Sequence, residues 1–595
     1  MLSSLNPTTL KSSSNFLRQI TVTVNGRQYE GKKGETIMEL CDRNNVKIPR
    51  LCHHPNLPPR ASCRVCLVEC DGKWLSPSCV TQIWDGLKIE TKSPKVLESV
   101  KNNVQELLST HDERCSTCVA NNRCEFRDIV YEFGVDAPIR EPHNEESIDR
   151  STNSIVLDPS KCVLCGRCIR ACEHIAGQSA LLFSQRGKHM TIQPVGGVKL
   201  QDTSCIKCGQ CTLYCPTGAL TEKYQVREVL NSLRQREKKL SVVQTAPAVR
   251  VAISDALGLP PGTISTGKLV AALKKLGFDL VYDTNYTADL TIVEEATELV
   301  GRLQNPNASL PMFTSCCPAW INFVEQSRPD LIPHLSSCRS PQGMLSSLFK
   351  NYLPKQYGLK ASDIFSVSIM PCTAKKDEIE RKTLRTEEGI KETDYVLTVR
   401  ELSEMIKQAG INFHSLPEME FDSLFGTSTG AAVIFAASGG VMEAAARTAF
   451  EVVTGKKLTK VDILPVRGFE NSVKIAVLDL EGTKLKVAVS HGIAETAKFL
   501  DQLKAGHPDY QDIKFIEVMA CPGGCVCGGG TSCPSGRETM AKRLDAIYNI
   551  DLNSSIRKSH DNPTVKKLYE TFLGKPNGHL AHKLLHTHYH PHPKN

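Results

Sequence analysis

The sequence predicts a multidomain α+β protein: a small β-grasp unit, a short helical unit, a twofold-repeated cysteine-rich unit and a large two-lobed α/β region. Three observations carry that reading. The cysteines are unevenly placed: of 25, seventeen lie from Cys41 to Cys215, none between Cys215 and Cys316, and eight from Cys316 onward. An Asn-Gly turn between alternating apolar residues marks an early hairpin. Beyond about residue 226, apolar strand-like runs alternate with helical patterns over roughly 370 residues, too long for one ordinary core.

Composition narrows the class. Hydrophobic residues make up 41% and charged residues 23% of the 595, as in globular proteins. A net charge of +8, with the basic residues dispersed, does not indicate nucleic-acid binding. No apolar run reaches the roughly 18 residues of a spanning helix, so no membrane partner is expected. The longest apolar stretch, Gly430–Val441, is broken by Gly and Ser. Cysteines gathered in CxxC triplets suit cluster cages rather than a disulfide framework, which implies a reducing compartment.

Taken in order, the first 29 residues contain no Asp or Glu and are rich in Ser and Thr, with Lys11, Arg18 and Arg27. This resembles an organellar presequence, assigned to residues 1–18, and the start MLSS resembles those of hydrogenosomal proteins. The alternative is a disordered tail or a cytoplasmic protein. Residues 19–96 follow as the β-grasp unit, with a hairpin at Gln19–Gly31, a helix at Thr36–Asn44 and then a cysteine-rich loop. Cys52, Cys63, Cys66 and Cys79 resemble the [2Fe–2S] site of plant-type ferredoxins, with altered outer spacing. Residues 97–148 read as helical. Their His111, Cys115, Cys118 and Cys124 fit a zinc site on spacing alone, and their place between two cluster units points to a [4Fe–4S] cluster with one imidazole ligand.

Residues 149–226 open on a polar linker, Asp149–Asn153. Two similar units then repeat with a period of 43 residues, Cys162 corresponding to Cys205. The runs Cys162, Cys165, Cys168 with Cys172, and Cys205, Cys208, Cys211 with Cys215, follow the two-cluster ferredoxin pattern, in which the fourth cysteine of each run serves the other cluster. Cys215 is therefore expected with the first triplet and Cys172 with the second. Four clusters in series make an electron wire.

Residues 227–595 hold three cysteine motifs unlike a ferredoxin cage: Thr314-Ser315-Cys316-Cys317-Pro318-Ala319-Trp320, Met370-Pro371-Cys372-Thr373-Ala374-Lys375-Lys376-Asp377-Glu378, and Glu517-Val518-Met519-Ala520-Cys521-Pro522-Gly523-Gly524-Cys525. These are very similar to the signatures of [FeFe]-hydrogenases, and the resemblance runs over nearly the whole chain. It implies an H-cluster, a [4Fe–4S] cube joined to a diiron unit bearing CO, cyanide and a dithiolate, and the reversible reaction 2 H+ + 2 e− = H2. It implies Cys317, Cys372, Cys521 and Cys525 as cube ligands, with Cys525 bridging. It makes Cys316 the inner end of a proton path that continues through Glu295, Ser336 and Glu298. Lys375 is expected to donate to one cyanide, Pro247 and Ser340 to contact the other, and Met370, Phe435 and Met519 to wall off the diiron unit.

The third motif departs from the family pattern through Cys527 and Cys533, and Cys527 could compete for iron. Cys41, Cys70 and Cys338 have no family counterpart and read as core thiols. Six of the 17 histidines fall in the last 17 residues, which read as a solvated tail. The implied partners are ferredoxin and H-cluster maturation proteins. The alternatives are a hydrogenase-like sensor, a subunit of an electron-bifurcating complex, an iron–sulfur assembly factor and a complex I-type subunit.

Overall fold

The computed structural model describes residues 20–136, 148–235, 239–425, 428–458, 461–480, 483–532 and 536–592. The presequence assignment at 1–18 and Cys533 lie outside them. The chain divides into two compact units, the first formed mainly by residues up to His111 together with Glu125–Glu141, the second by most of the remainder.

In the first unit, strands β1 (Ile20–Val24), β2 (Arg27–Gly31), β3 (Leu67–Cys70), β4 (Trp74–Pro77) and β5 (Lys88–Glu90) form one sheet in the order β2-β1-β5-β3-β4. The β1–β2 hairpin turns at Asn25 and Gly26, both at positive φ, which the twist of a two-residue hairpin requires. Val22 and Val24 point inward against the helix Ile37–Arg43, which Thr36 and Glu39 close with a capping box. The parallel pairing of β1 with β5 completes a β-grasp arrangement. Cys41 and Cys70 lie in its apolar core, as expected. The helix Pro94–Leu108 starts at the Ser93 cap and buries Val96, Val100, Val104 and Leu108 at four-residue spacing.

The second unit begins with the repeat. Strand β6 (Ile155–Leu157) pairs with β9 (Leu220–Glu222), and β7 (Leu181–Ser184) with β8 (Thr191–Pro194). Its two helices, Arg167–His174 and Gln210–Tyr214, each start after a glycine in the left-handed region, Gly166 and Gly209, one repeat apart. The polar stretch read as a linker is pinned instead. Asp149 bridges to Leu157 through the backbone, and its carboxylate accepts from the Leu200 and Ser151 amides, because a short acidic side chain satisfies exposed N–H groups that a free linker would leave to water.

The large region contains two four-stranded sheets. Strands β10 (Leu240–Thr245), β11 (Leu280–Asp283), β13 (Ile364–Met370) and β14 (Tyr395–Thr398) run parallel in the order β11-β10-β13-β14. All seven residues of β13 are buried, as a strand covered on both faces demands. Strands β12 (Met312–Phe313), β15 (Val473–Leu480), β16 (Thr483–His491) and β17 (Ile513–Met519) form the other sheet in the order β12-β17-β16-β15, with β12 and β16 parallel to β17. Parallel sheets gather their functional loops at the carboxyl ends of the strands. Here the three cysteine motifs follow β12, β13 and β17 directly. A buried ion cluster, Arg447 with Glu443 and Asp551, ties the helix Gly440–Thr454 to the helix Arg537–Leu552. Among the described residues, no helix is long and apolar enough to cross a membrane.

Candidate functional site

The loops after β10, β12, β13 and β17 converge on one cavity. Cys317 caps the helix Pro318–Ser327, whose first residue is Pro318. Cys372 lies in the turn before the helix Ala374–Glu378. Cys521 and Cys525 flank Gly523 and Gly524. Gly524 adopts φ 96°, and a Cβ there would sit 2.6 Å from the Ser438 nitrogen, so only glycine lets this loop close. Cys316, Cys317, Cys372, Cys521 and Cys525 all line the cavity. Burial, then mutual repulsion among the thiols, pushes Cys372 up to about 12 and raises Cys521 well above the usual thiol range. Four thiolates this close in a dry site need a cationic partner. Soft sulfur ligands converging from separate loops fit an iron–sulfur cube. The Gln210 side-chain amide donates to Cys521 Sγ at 3.2 Å, a contact suited to a thiolate acceptor.

Ala246, Pro247, Ala288, Met370, Phe435 and Met519 make most of the remaining wall apolar. Lys375 brings a charge to it, with Nζ 2.7 Å from Glu378 and 3.3 Å from the Cys316 carbonyl. Gln342 reaches the same Glu378 at 3.2 Å, and its buried Oε1 lacks a hydrogen-bond partner among the described residues. Ser340 is placed differently from the expectation. Its hydroxyl caps the helix Pro341–Asn351 by accepting from the Gly343 amide, and Pro341 and Gln342 line the cavity in its stead. A Ser-Pro pair ahead of a helix is an N-cap pattern, and that local role decides where the hydroxyl points.

The helix Asn285–Gln304 carries Glu295 and Glu298, two residues of the expected proton path, one turn apart on one face. Glu295 is buried beside Ser336. Burial, then the negative charge of Glu298, lifts its carboxyl to about 8. Cys316 lies beside it, its thiol raised by burial first and by Glu295 next. Ser336 Oγ donates to Glu298 Oε2 at 2.9 Å, while Arg302 holds Glu298 Oε1 at 2.7 Å. The histidine-rich tail is not solvated throughout. Leu584 and Leu585 anchor it in the core, and His586 is buried between Ser337 at 2.8 Å and Glu294 at 3.0 Å.

The accessory cysteines group as follows. Cys52 makes side-chain hydrogen bonds with Cys63 and Cys79, and Cys66 with Cys79, so all four thiols meet. Cys215 acts electrostatically on Cys162, Cys165 and Cys168, and Cys172 on Cys205, Cys208 and Cys211, which is the crossed grouping. His111 belongs to the first unit, and Cys115, Cys118 and Cys124 to the second. Cys208 neighbours Cys521, so the second triplet abuts the cavity. Cys527 does not line the cavity. It belongs to an apolar cluster with Ala248, Val251 and Leu544 and lies near Arg543. The sequence reading missed Gln210, Gln342, Ser337 and His586. The Cys-Gly-Gln-Cys and Ser-Pro-Gln spellings were the signals for the first two.

Serial cysteine groups that end at an apolar, thiol-lined cavity define an iron–sulfur oxidoreductase with a buried terminal site. Residues 239–529 match the C-terminal domain of the iron-only hydrogenase large subunit, and 537–592 match the iron hydrogenase small subunit. Residues 17–94 match a 2Fe-2S cluster-binding domain, 101–138 the NADH-ubiquinone oxidoreductase-G iron–sulfur region, and 155–174 and 198–221 a 4Fe-4S binding domain. The chain is 40% identical to the NADP-reducing hydrogenase subunit HndD of Solidesulfovibrio fructosivorans, over 96% of this chain and 99% of that protein. It is 38% identical to iron hydrogenase 1 of Clostridium pasteurianum, over 96% and 99%. A solved [FeFe]-hydrogenase structure, HydA(deltaEFG), superposes with TM-score 0.56 at 41% identity, covering 62% of this chain and 99% of that one. The chain belongs to the [FeFe]-hydrogenase family: it is a hydrogenase that carries [2Fe–2S] and [4Fe–4S] clusters and an H-cluster.

Proposed function

We propose that the chain interconverts protons and H2 at the cavity, where Cys317, Cys372, Cys521 and Cys525 would hold the cube and Cys525 would also serve the diiron unit. The convergence of these four thiols with Cys316 and Lys375 on one apolar cavity carries the reading. When bound, the diiron unit supplies the redox site at which protons and electrons combine. The protein's own groups do the rest. Lys375, held by Glu378, offers a fixed positive donor to an anionic ligand in a dry wall. Met370, Phe435 and Met519 exclude water. Protons move between solvent and the Cys316 thiol through Glu298, Ser336 and Glu295. The accessory cysteine groups would hold three [4Fe–4S] clusters and one [2Fe–2S] cluster, which would supply electron transfer, and the Cys208 group is the one that neighbours Cys521.

Ferredoxin is the proposed partner, since a low-potential wire suits a small one-electron protein, and dedicated maturation proteins would build the H-cluster. The likeness to a subunit named for NADP reduction favours a second reading, a subunit of a larger pyridine-nucleotide-linked complex. Under H2, the purified holoenzyme is expected to reduce ferredoxin directly. Failure to do so, with NADP+ reduction appearing when further subunits are added, would establish the second reading. The acid-free N-terminus supports residence in a hydrogenosome. A mature protein beginning between about residues 10 and 20 by mass spectrometry of the organelle is the expected result, and only intact Met1 would refute it.

A further inference from the structure

At the outer end of the relay, and sharing Glu298 with it, lies a cluster that neither the electron wire nor the cavity uses. The Glu298 carboxylate, the Cys338 thiol and a ring nitrogen of His586 all lie within 4.8 Å of one another. Cys338 Sγ stands 3.9 Å from Glu298 Oε2, and both Cys338 and His586 are buried. We propose that Glu298, Cys338 and His586 form a binding site for a zinc-class divalent cation, and that its occupancy stops proton delivery. The second clause rests on the relay reading given above; the first does not.

The donor set is one carboxylate, one thiol and one imidazole, the mixture that borderline-soft Zn2+ takes. Bond lengths of about 2.0–2.3 Å place tetrahedral ligand atoms roughly 3.3–3.5 Å apart, so side-chain movements of about 1 Å close the site. A fourth position is left for water. The surroundings suit a histidine ligand. Nδ1 of His586 faces Ser337 Oγ at 2.8 Å and Nε2 faces Glu294 Oε2 at 3.0 Å. Whichever nitrogen turns to the ion, the other keeps an outer partner that fixes the ring.

The charges also close. Binding releases the Cys338 proton to solvent. The thiolate, Glu298 and Glu294 then offset the ion together with Arg302, which already occupies the other oxygen of Glu298. An ion on Glu298 Oε2 displaces the Ser336 hydroxyl from that oxygen and so cuts the path between Glu295 and the surface.

The test soaks crystals of the holoenzyme with ZnCl2, collects anomalous data at the zinc edge, and in parallel titrates ZnCl2 into H2 evolution from reduced viologen. Wild type is expected to show a zinc peak within bonding distance of the three side chains, together with inhibition that EDTA reverses. Cys338→Ala and, as a second variant less disturbing to packing, Cys338→Ser are expected to lose the peak. Each should also need about tenfold or more zinc for the same fractional inhibition of its own zinc-free rate. Infrared bands of metal-bound CO and cyanide confirm that each variant carries its H-cluster. No peak at the three side chains in wild type, or equal zinc sensitivity in both variants, overturns the site. A peak there with no inhibition upholds the site and overturns the relay reading.

Discussion

Replacing Glu295 with glutamine isolates the inner carboxyl of the proposed relay. Burial, reinforced by Glu298, lifts this carboxyl from 4.5 to about 8. About nine-tenths of molecules therefore hold its proton at pH 7, and about one-tenth at pH 9. H2 evolution draws on the protonated form and should fall about tenfold over that interval. H2 uptake needs the carboxylate as acceptor and should rise. Glutamine keeps the shape and a polar group beside Ser336 yet neither takes nor gives a proton. Both directions are expected to drop about 10²–10⁴-fold, and the inflection near pH 8 should vanish. The assay pairs viologen-driven H2 evolution with H2-driven viologen reduction, each normalised to infrared-quantified H-cluster. Stability moves the opposite way. Below 4.5 both folded and unfolded chains are protonated. Between 4.5 and 8 only the unfolded chain ionises, so stability falls as pH rises, by about 5 kcal/mol in total, and stays level above 8. Glutamine removes that loss, so the variant should inactivate more slowly than wild type at pH 9. A Glu295→Gln enzyme with wild-type rates and an unchanged inflection would refute the reasoning.

Three further expectations follow from the same geometry. Cys316→Ser should assemble an H-cluster with normal CO and cyanide bands yet keep a small fraction of turnover, and Cys316→Asp should retain more. A Cys316→Ser protein lacking those bands would make Cys316 a ligand and reverse the assignment of the adjacent cysteines. Cys372→Ser should lose the H-cluster infrared signature while the accessory clusters remain visible by electron paramagnetic resonance, because an alkoxide is a poor ligand for soft iron, and full H2 production would contradict it. Arg447→Met leaves Glu443 and Asp551 buried with less compensation and should cost about 3 kcal/mol, read as a shortened half-life of activity on heating, with the infrared bands unchanged.

Much of the architecture could be read directly from the residues, because the informative signals were local. Asn25-Gly26 announced a hairpin, and the CxxC triplets announced cages with their crossed fourth cysteines. The alternating strands and helices beyond residue 226 announced α/β lobes. What escaped depends on contacts between distant segments. Two residues, Met312 and Phe313, suffice for β12 because β17 supplies the pairing, and a pair that short leaves no pattern. The tail looked solvated because its histidines are irregularly spaced, yet two leucines carry it into the core and deliver His586 to Glu294. Cys527 looked like a rival ligand by proximity in sequence. Cys525 lines the cavity and Cys527 does not; Cys527 lies in an apolar cluster near Arg543, a placement that only the folded surroundings fix.

Gln210 stands between two cysteines of one proposed cage and donates to a cysteine of the next. Gly529 closes against the same junction, where even a methyl group would meet the Cys208 carbonyl at 2.1 Å. The two cages thus share a wall in which backbone is packed against backbone. Electron tunnelling across that junction should be ungated: its rate set by a fixed distance, indifferent to solvent viscosity, and surviving in a frozen glass where every slower conformational step has stopped.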